Sequence, residues 1–143
     1  MLEEYGKRRN FSKSPEPGGR TSGVGGIFVI QEHNASHWHH DFRLEKDGVL
    51  KSWAVPKGFP EKDERRLAVQ TEEHPIEYAD FEGTIPKEMY GAGTVKIYDK
   101  GKAKVNLWTD DKIEFELEGK KLRGSYVMIK TRMGWLVFRK KNK

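Results

Sequence analysis

The sequence predicts a mostly-β fold, an antiparallel barrel or sandwich of some eight short strands with little helix. Three observations predict it. After Gly26, short β-branched and aromatic runs recur along the chain, some alternating with polar residues at the two-residue period of a pleated strand. Gly or Asp punctuates most of the gaps, at Asp47-Gly48, Gly101, Asp110-Asp111, Gly119 and Gly134. Only residues 77–93 read as irregular or briefly helical. Evenly spaced strands of this kind close into barrels or pack as sandwiches.

Taken in order, Ile27-Phe28-Val29-Ile30 is the first run. His37 to Glu45 alternates, and Asp47-Gly48 supplies a hairpin turn into Val49–Val55. Leu67-Ala68-Val69, Thr94–Tyr98, Val105–Trp108, Ile113–Leu117, Tyr126–Ile129 and Trp135–Phe138 follow. Ahead of them, 11 of the 15 residues from Ser12 to Gly26 are Gly, Pro, Ser or Thr, which favours loop over packed element. Residues 1–26 therefore read as a flexible N-terminal arm and 27–143 as the β-domain. The arm opens with a basic-aromatic cluster, Tyr5 to Phe11, suited to a phosphate backbone as well as to a frayed end.

With 143 residues the chain is one domain long, and 35% hydrophobic residues against 34% charged rule out disorder throughout. Nine basic residues and no acidic one lie between Lys120 and Lys143, so residues 1–119 carry 18 basic against 22 acidic. A basic end on a near-neutral body points to a polyanion-facing surface. The absence of cysteine excludes disulfides, thiolate zinc sites and thiol nucleophiles. No apolar run approaches membrane-spanning length, and the N-terminus lacks the apolar core of a signal peptide, so a soluble cytoplasmic protein is expected.

Four of the five histidines fall between His33 and His40. On a strand over 37–45, one face shows His37, His39, Asp41, Arg43 and Glu45, and the other Trp38, His40, Phe42 and Leu44. One face is greasy and the other chemically loaded. An imidazole and a carboxylate two residues apart can converge on one metal, with His33 in reach as a third ligand. Two imidazoles and a carboxylate suit Mn, Fe(II) or Zn. The alternative is a solvated His-rich edge that binds metal adventitiously. In the next strand, parity groups Arg66, Gln70, Glu72 and His74 on one face and Leu67 with Val69 on the other. Arginine forks match phosphate oxygens bidentately, and Lys57 on the Val55-Pro56-Lys57-Gly58 turn adds a point charge.

The run His33-x5-His39-x-Asp41-Phe42-Arg43-Leu44-Glu45, then Leu50-Lys51-Ser52-Trp53-Ala54-Val55-Pro56-Lys57-Gly58, resembles the 3′-phosphoesterase domain of bacterial DNA ligase D. Arg66–Val69, Glu72-Glu73-His74-Pro75, Tyr78, Asp80-Phe81-Glu82-Gly83 and Tyr90–Val95 match the same domain in order. The resemblance implies a compact β-barrel phosphoesterase that depends on Mn2+, with Zn2+ or Co2+ as alternatives. Its reaction would remove a 3′-terminal ribonucleoside and then the 3′-phosphate during break repair. It implies His33, His39 and Asp41 as metal ligands. Arg43, Lys57, Arg66 and His74 would address the phosphate, with Tyr78 and Glu72 close by. Arg9 and Glu16 match arm residues that the family also uses, as expected substrate contacts, and His37, on the metal side by strand parity, is expected as a phosphate contact or spare ligand. Implied partners are an RNA-terminated primer–template or DNA duplex and separate ligase and polymerase chains, with the protein a monomer by default.

Three departures stand out. Asn10 replaces an Asp in the arm, which would affect the diesterase step before the metal site. His37 and His40 stand where the family often has Arg and Tyr. The chain is also too short to hold the ligase or polymerase modules to which this domain is usually fused. Two rivals make different demands. An iron oxygenase of cupin-like fold would take His74 as third ligand and leave His33 idle. A non-catalytic nucleic-acid-binding barrel would ignore the metal and rely on exposed aromatics along a basic groove.

Overall fold

The computed structural model describes residues 26–89 and 92–140. Of the arm, all but Gly26 lies outside the described residues, and with it Arg9, Asn10 and Glu16. The strands are β1 (Gly26–Asn34), β2 (Trp38–Lys46), β3 (Val49–Val55), β4 (Arg65–Pro75), β5 (Gly83–Ile85), β6 (Gly93–Trp108), β7 (Lys112–Glu118), β8 (Arg123–Thr131) and β9 (Gly134–Arg139). A 3-10 segment, Ile76–Asp80, follows β4 directly. All pairings are antiparallel. The order β1-β2-β3-β4-β9-β8-β7-β6 closes through a β1–β6 pairing, giving an eight-stranded barrel with β5 as an extra strand on β6.

The β2–β3 hairpin turns where expected, with Asp47 at φ 54° and Gly48 at φ 84°, the paired positive angles that match strand twist. The runs Thr94–Tyr98 and Val105–Trp108 are a single strand, so Gly101 is no break. A Cβ at Gly101 would lie 2.2 Å from the carbonyl oxygen of Glu118. Glycine is needed there for backbone approach as β6 passes from its β1 partner to β7. The stretch read as irregular holds the 3-10 segment and β5.

Even-numbered residues of β1 and β2 fill the barrel: Phe28, Ile30, Phe42 and Leu44 pack with Trp53, Val55, Phe59, Phe115 and Tyr126. Phe42 sits centrally, with ring centroids 4.8 Å from Phe59, 5.4 Å from Phe115 and 5.8 Å from Trp53. Odd-numbered residues point outward, where Val29, Leu50 and Ala79 form a second, smaller cluster with Ile76 and Tyr78. The 3-10 segment therefore covers part of the outer face of β1–β3. This cover lets polar side chains on the same face be buried without entering the barrel.

Strand β4 departs from simple alternation. Ser52 pairs with Thr71 but Leu50 with His74, so two residues of β3 span three of β4. That bulge reverses parity. Ala68, at 0% exposure, joins the barrel core, while Leu67 and Val69 are exposed. The apolar pair Leu67 and Val69, grouped on one face by parity, thus lies on the outside of the barrel and not in its core. Arg66 and Gln70 share the parity of Ala68, whereas His74 emerges on the outer face, so the four residues read as one loaded face do not form one.

Candidate active site

Three donors meet on the outer face of β1 and β2. His33 is the cross-strand partner of His39, and Gln31 of Asp41, so His33 belongs to β1 rather than to the connection before β2. His33 Nδ1 lies 3.4 Å from Asp41 Oδ2, and His39 Nε2 lies 3.1 Å from Asp41 Oδ1. One ligand atom from each residue fits within 4.8 Å of the others. His39 Nδ1–H donates to the carbonyl of His37 at 3.1 Å, which leaves the Nε2 lone pair for a metal in the neutral ring, while a second proton on Nε2 lets it donate to Asp41. Two imidazoles and a carboxylate, half to fully buried and oriented from behind, are a donor set that fits a divalent transition ion with coordination positions left open.

Arg43 is the hub beside this cluster. It is 5% exposed, and its donors are nearly all engaged. Nε donates to Gln31 Oε1 at 2.7 Å and Nη1 to Ser52 Oγ at 2.8 Å. Nη1 also lies 3.1 Å from His74 Nδ1, and the guanidinium sits 4.9 Å from the Tyr78 ring. Only Nη2 is loosely held, 3.6 Å from Asp41 Oδ2. His74 Nδ1 is also 3.0 Å from the carbonyl of Glu72. A single ring nitrogen cannot accept from Arg43 and donate to Glu72 at once, so the two neighbours select opposite tautomers. Tyr78, on the 3-10 segment, packs on His74 with centroids 4.6 Å apart and stacks on Phe81 at 5.0 Å.

The structure thus brings His33, His39, Asp41, Arg43, His74 and Tyr78 together. The remaining candidates among the described residues stand apart from that cluster. The Glu72 side chain is exposed, and only its carbonyl reaches His74. Lys57 is exposed on the turn after β3. Arg66 donates to the carbonyls of Lys57 and of Gly58 (3.4 Å) and pairs with Glu64 at 3.1 Å, so it braces that turn. His37 is exposed and precedes β2, contributing its carbonyl to His39.

Two residues were not singled out from the sequence. Gln31, fully buried, accepts from Arg43 and donates to the carbonyls of Tyr78 (3.0 Å) and Phe81 (3.2 Å), tying the 3-10 segment to the hub. Ser52, also fully buried, accepts from Arg43 and donates to the carbonyl of Leu50 at 3.1 Å. A signal for Gln31 existed. It is a polar residue continuing the parity of Val29 and His33 at the end of an apolar run.

The electrostatics follow from burial and pairing. Burial works to raise the Asp41 pKa, but hydrogen bonds from His33 and His39 and the charge of Arg43 hold it well below the usual carboxylate range. The hydrogen bond to Asp41 raises His39 against the effect of burial. His74 is pushed down to about 4, chiefly by burial and then by Arg43. His40, inside the barrel, is also pushed down to about 4 by burial. His40 and His74 are therefore neutral at pH 7, while their unfolded forms titrate near 6.5. Between those values the unfolded state binds more protons, so stability falls as pH falls from 6.5 towards 4. The expected loss is roughly 2 kcal/mol per histidine by pH 5, partly offset by His39. Thermal melts of metal-free protein at pH 7 and pH 5 check this, and an unchanged or higher midpoint at pH 5 would contradict it.

The model of the DNA ligase D 3′-phosphoesterase domain matches residues 31–130. The multifunctional non-homologous end joining protein LigD of Mycobacterium bovis is 46% identical over 150 residues, covering 99% of this chain and 20% of that protein. Its counterpart in Pseudomonas aeruginosa is 47% identical over 148 residues, covering 92% of this chain and 17% of that protein. The one in Mycolicibacterium smegmatis is 45% identical over 157 residues, with 99% and 21% covered. The chain spans about one fifth of the length of the curated relatives it matches. On the family match and these identities, the chain belongs to the DNA ligase D 3′-phosphoesterase domain family.

Proposed function

We propose that this chain is a metal-dependent 3′-phosphoesterase of DNA break repair, which removes a 3′-terminal ribonucleoside and then the 3′-phosphate it leaves. The observation that carries the reading is the donor set of His33, His39 and Asp41, within 4.8 Å, beside the buried Arg43–His74 contact. His33, His39 and Asp41 would hold the ion, Mn2+ first, with Zn2+ and Co2+ as alternatives. When bound, such an ion supplies Lewis-acid polarisation of a phosphoryl oxygen.

The protein's own groups divide the remaining work. Arg43 presents Nη2, its least engaged edge, to the phosphate, while its other donors keep the site in shape. His74, neutral at pH 7, serves as a hydrogen-bond donor through Nε2 in the tautomer whose Nδ1 accepts from Arg43. It does not begin the reaction as an imidazolium. Tyr78 holds the His74 ring by packing and borders the same face. Lys57 adds a point charge from its turn, and Arg66 keeps that turn in place, so Arg66 acts through Lys57. Arg9, Glu16 and His37 are proposed as contacts to the strand. The proximity of His74 to Arg43, with His33 completing the donor set, favours this arrangement over an oxygenase that would use His74 as a ligand.

The substrate is proposed to be a DNA or RNA-terminated primer–template duplex, with ligase and polymerase modules of end joining as partners. No helix among the described residues is long and apolar enough to cross a membrane. Phosphate release from a duplex ending in a 3′-phosphate, compared with the same duplex ending in a 5′-phosphate, tests the reading. Release is expected from the 3′ end alone, with Mn2+ and not with chelator. Equal release from both ends, or none with metal, would sink it.

A further inference from the structure

A single exposed apolar side chain means little on a small barrel, but two of them lie on the strand face that carries the metal-ligand cluster. Asp41 pairs with Ala54 across β2 and β3, and Ala54 pairs with Val69 across β3 and β4. Directly opposed residues of antiparallel strands share a face. Phe42, Trp53, Val55 and Ala68 occupy the barrel core, so Asp41, Ala54 and Val69 stand in one row on its outside. Two strand spacings, about 10 Å, separate the Asp41 and Val69 backbones. Val69 is 42% exposed, and Leu67, two residues back on the same face, is 37% exposed. From Leu67 the apolar residues continue across β9 and β8 through Leu136 to Ile129.

The two sides of the cluster differ. Towards one side the 3-10 segment packs over the outer face and buries Val29 and Leu50. Along the Asp41 row towards β4, the next side chain is Ala54, a single half-buried methyl, and beyond it stands the exposed isopropyl group of Val69. The order is a carboxylate, a low methyl floor and an aliphatic wall of Val69 and Leu67. A nucleoside matches that order, since its sugar and base present uncharged, largely apolar faces next to a phosphate. An aliphatic wall also holds any base, because it has no donors or acceptors with which to choose among them. We infer that Ala54, Val69 and Leu67 seat the nucleoside beyond the scissile phosphate, packing on its sugar and base while the phosphate lies at the His33–His39–Asp41 cluster. This inference rests on the proposed function for the identity of the strand end. Continuity of the wall with the Asp41 row commits its occupant to the substrate rather than to a docked protein.

Equilibrium binding of three fluorescent primer–template duplexes tests it in Ca2+, without turnover. One ends in a 3′-terminal ribonucleotide, one in an abasic ribose, and one in a 3′-phosphate with no nucleoside beyond it. The wild-type chain is expected to bind the base-bearing end about 10-fold more tightly than the abasic end, a gain that burying on the order of 60 Å² of apolar surface supplies. Leu67→Thr/Val69→Thr, which keeps strand-forming residues at exposed positions, is expected to bind those two ends alike and the 3′-phosphate end as the wild-type chain does. Val69→Ile is expected to keep the preference, as is Ile129→Thr at the far end of the apolar stretch. Mn2+ titration and thermal melts of each variant show that the metal cluster and fold persist. No preference in the wild-type chain, an undiminished one in the double variant, an equal loss for the 3′-phosphate end, or an equal loss in Ile129→Thr would overturn the seat. Preference without hydrolysis in Mn2+ would refute the phosphoesterase and keep the seat, and hydrolysis without preference would do the reverse.

Discussion

Asp41→Asn is expected to abolish divalent-ion binding and 3′-end processing together, with Mn2+ affinity down at least about 100-fold and turnover down about 1,000-fold or more. The substitution keeps shape and removes charge. Asp41 is the residue on which both imidazoles and Arg43 converge, at 3.4, 3.1 and 3.6 Å. An amide retains one acceptor oxygen but puts an amino group in place of the other, facing either His39 or the His33–Arg43 side, and it brings no charge to a metal. Calorimetric titration with Mn2+ and an end-processing assay check the two losses. Retained metal affinity with lost turnover would move Asp41 from ligand to positioning residue.

The second large effect is on the fold. Arg43→Ala is expected to cost about 3–5 kcal/mol of stability, the range found when one member of a buried charge pair is removed. The reason is the number of partners left behind. Gln31 Oε1 and Ser52 Oγ lose their donor, Tyr78 loses the cation under its ring, and Asp41 loses a counter-charge. Arg43→Lys is expected to rescue little, since an ammonium reaches one of these partners but cannot span Gln31, Ser52 and Asp41 as the planar fork does. Urea melts of the metal-free variants measure the loss. A cost below about 1 kcal/mol would mean that Arg43 serves the reaction and not the architecture.

These two residues also show what could be read from the sequence. On β2 the ladder is regular from His40 to Lys46, so alternation placed Phe42 and Leu44 in the core and Asp41 and Arg43 on the opposite face. His33 was expected within reach, and pairing of β1 with β2 sets it across from His39. Alternation failed on β4 because the bulge between Thr71 and His74 reverses the count, and nothing in Arg66–His74 marks it. Plain alternation therefore puts Arg66 and His74 on one face, where the bulge separates them. Gly101 read as a turn because a glycine required for close backbone approach looks the same in sequence as one required for chain reversal. The hydrogen-bonding roles of Gln31 and Ser52 were hidden for a different reason. They depend on a 3-10 segment and a hairpin folding over the same outer face, a long-range fact that no local pattern carries.

The reading as a whole turns on a strand end that is processed only with metal. A primer–template with a single 3′-terminal ribonucleotide, incubated with and without Mn2+ and resolved on a sequencing gel, tests this most directly. Shortening by one nucleoside to a 3′-phosphate, followed by conversion to a 3′-hydroxyl, is expected in the Mn2+ lanes alone. An unchanged primer in Mn2+, or identical products in chelator, would contradict it.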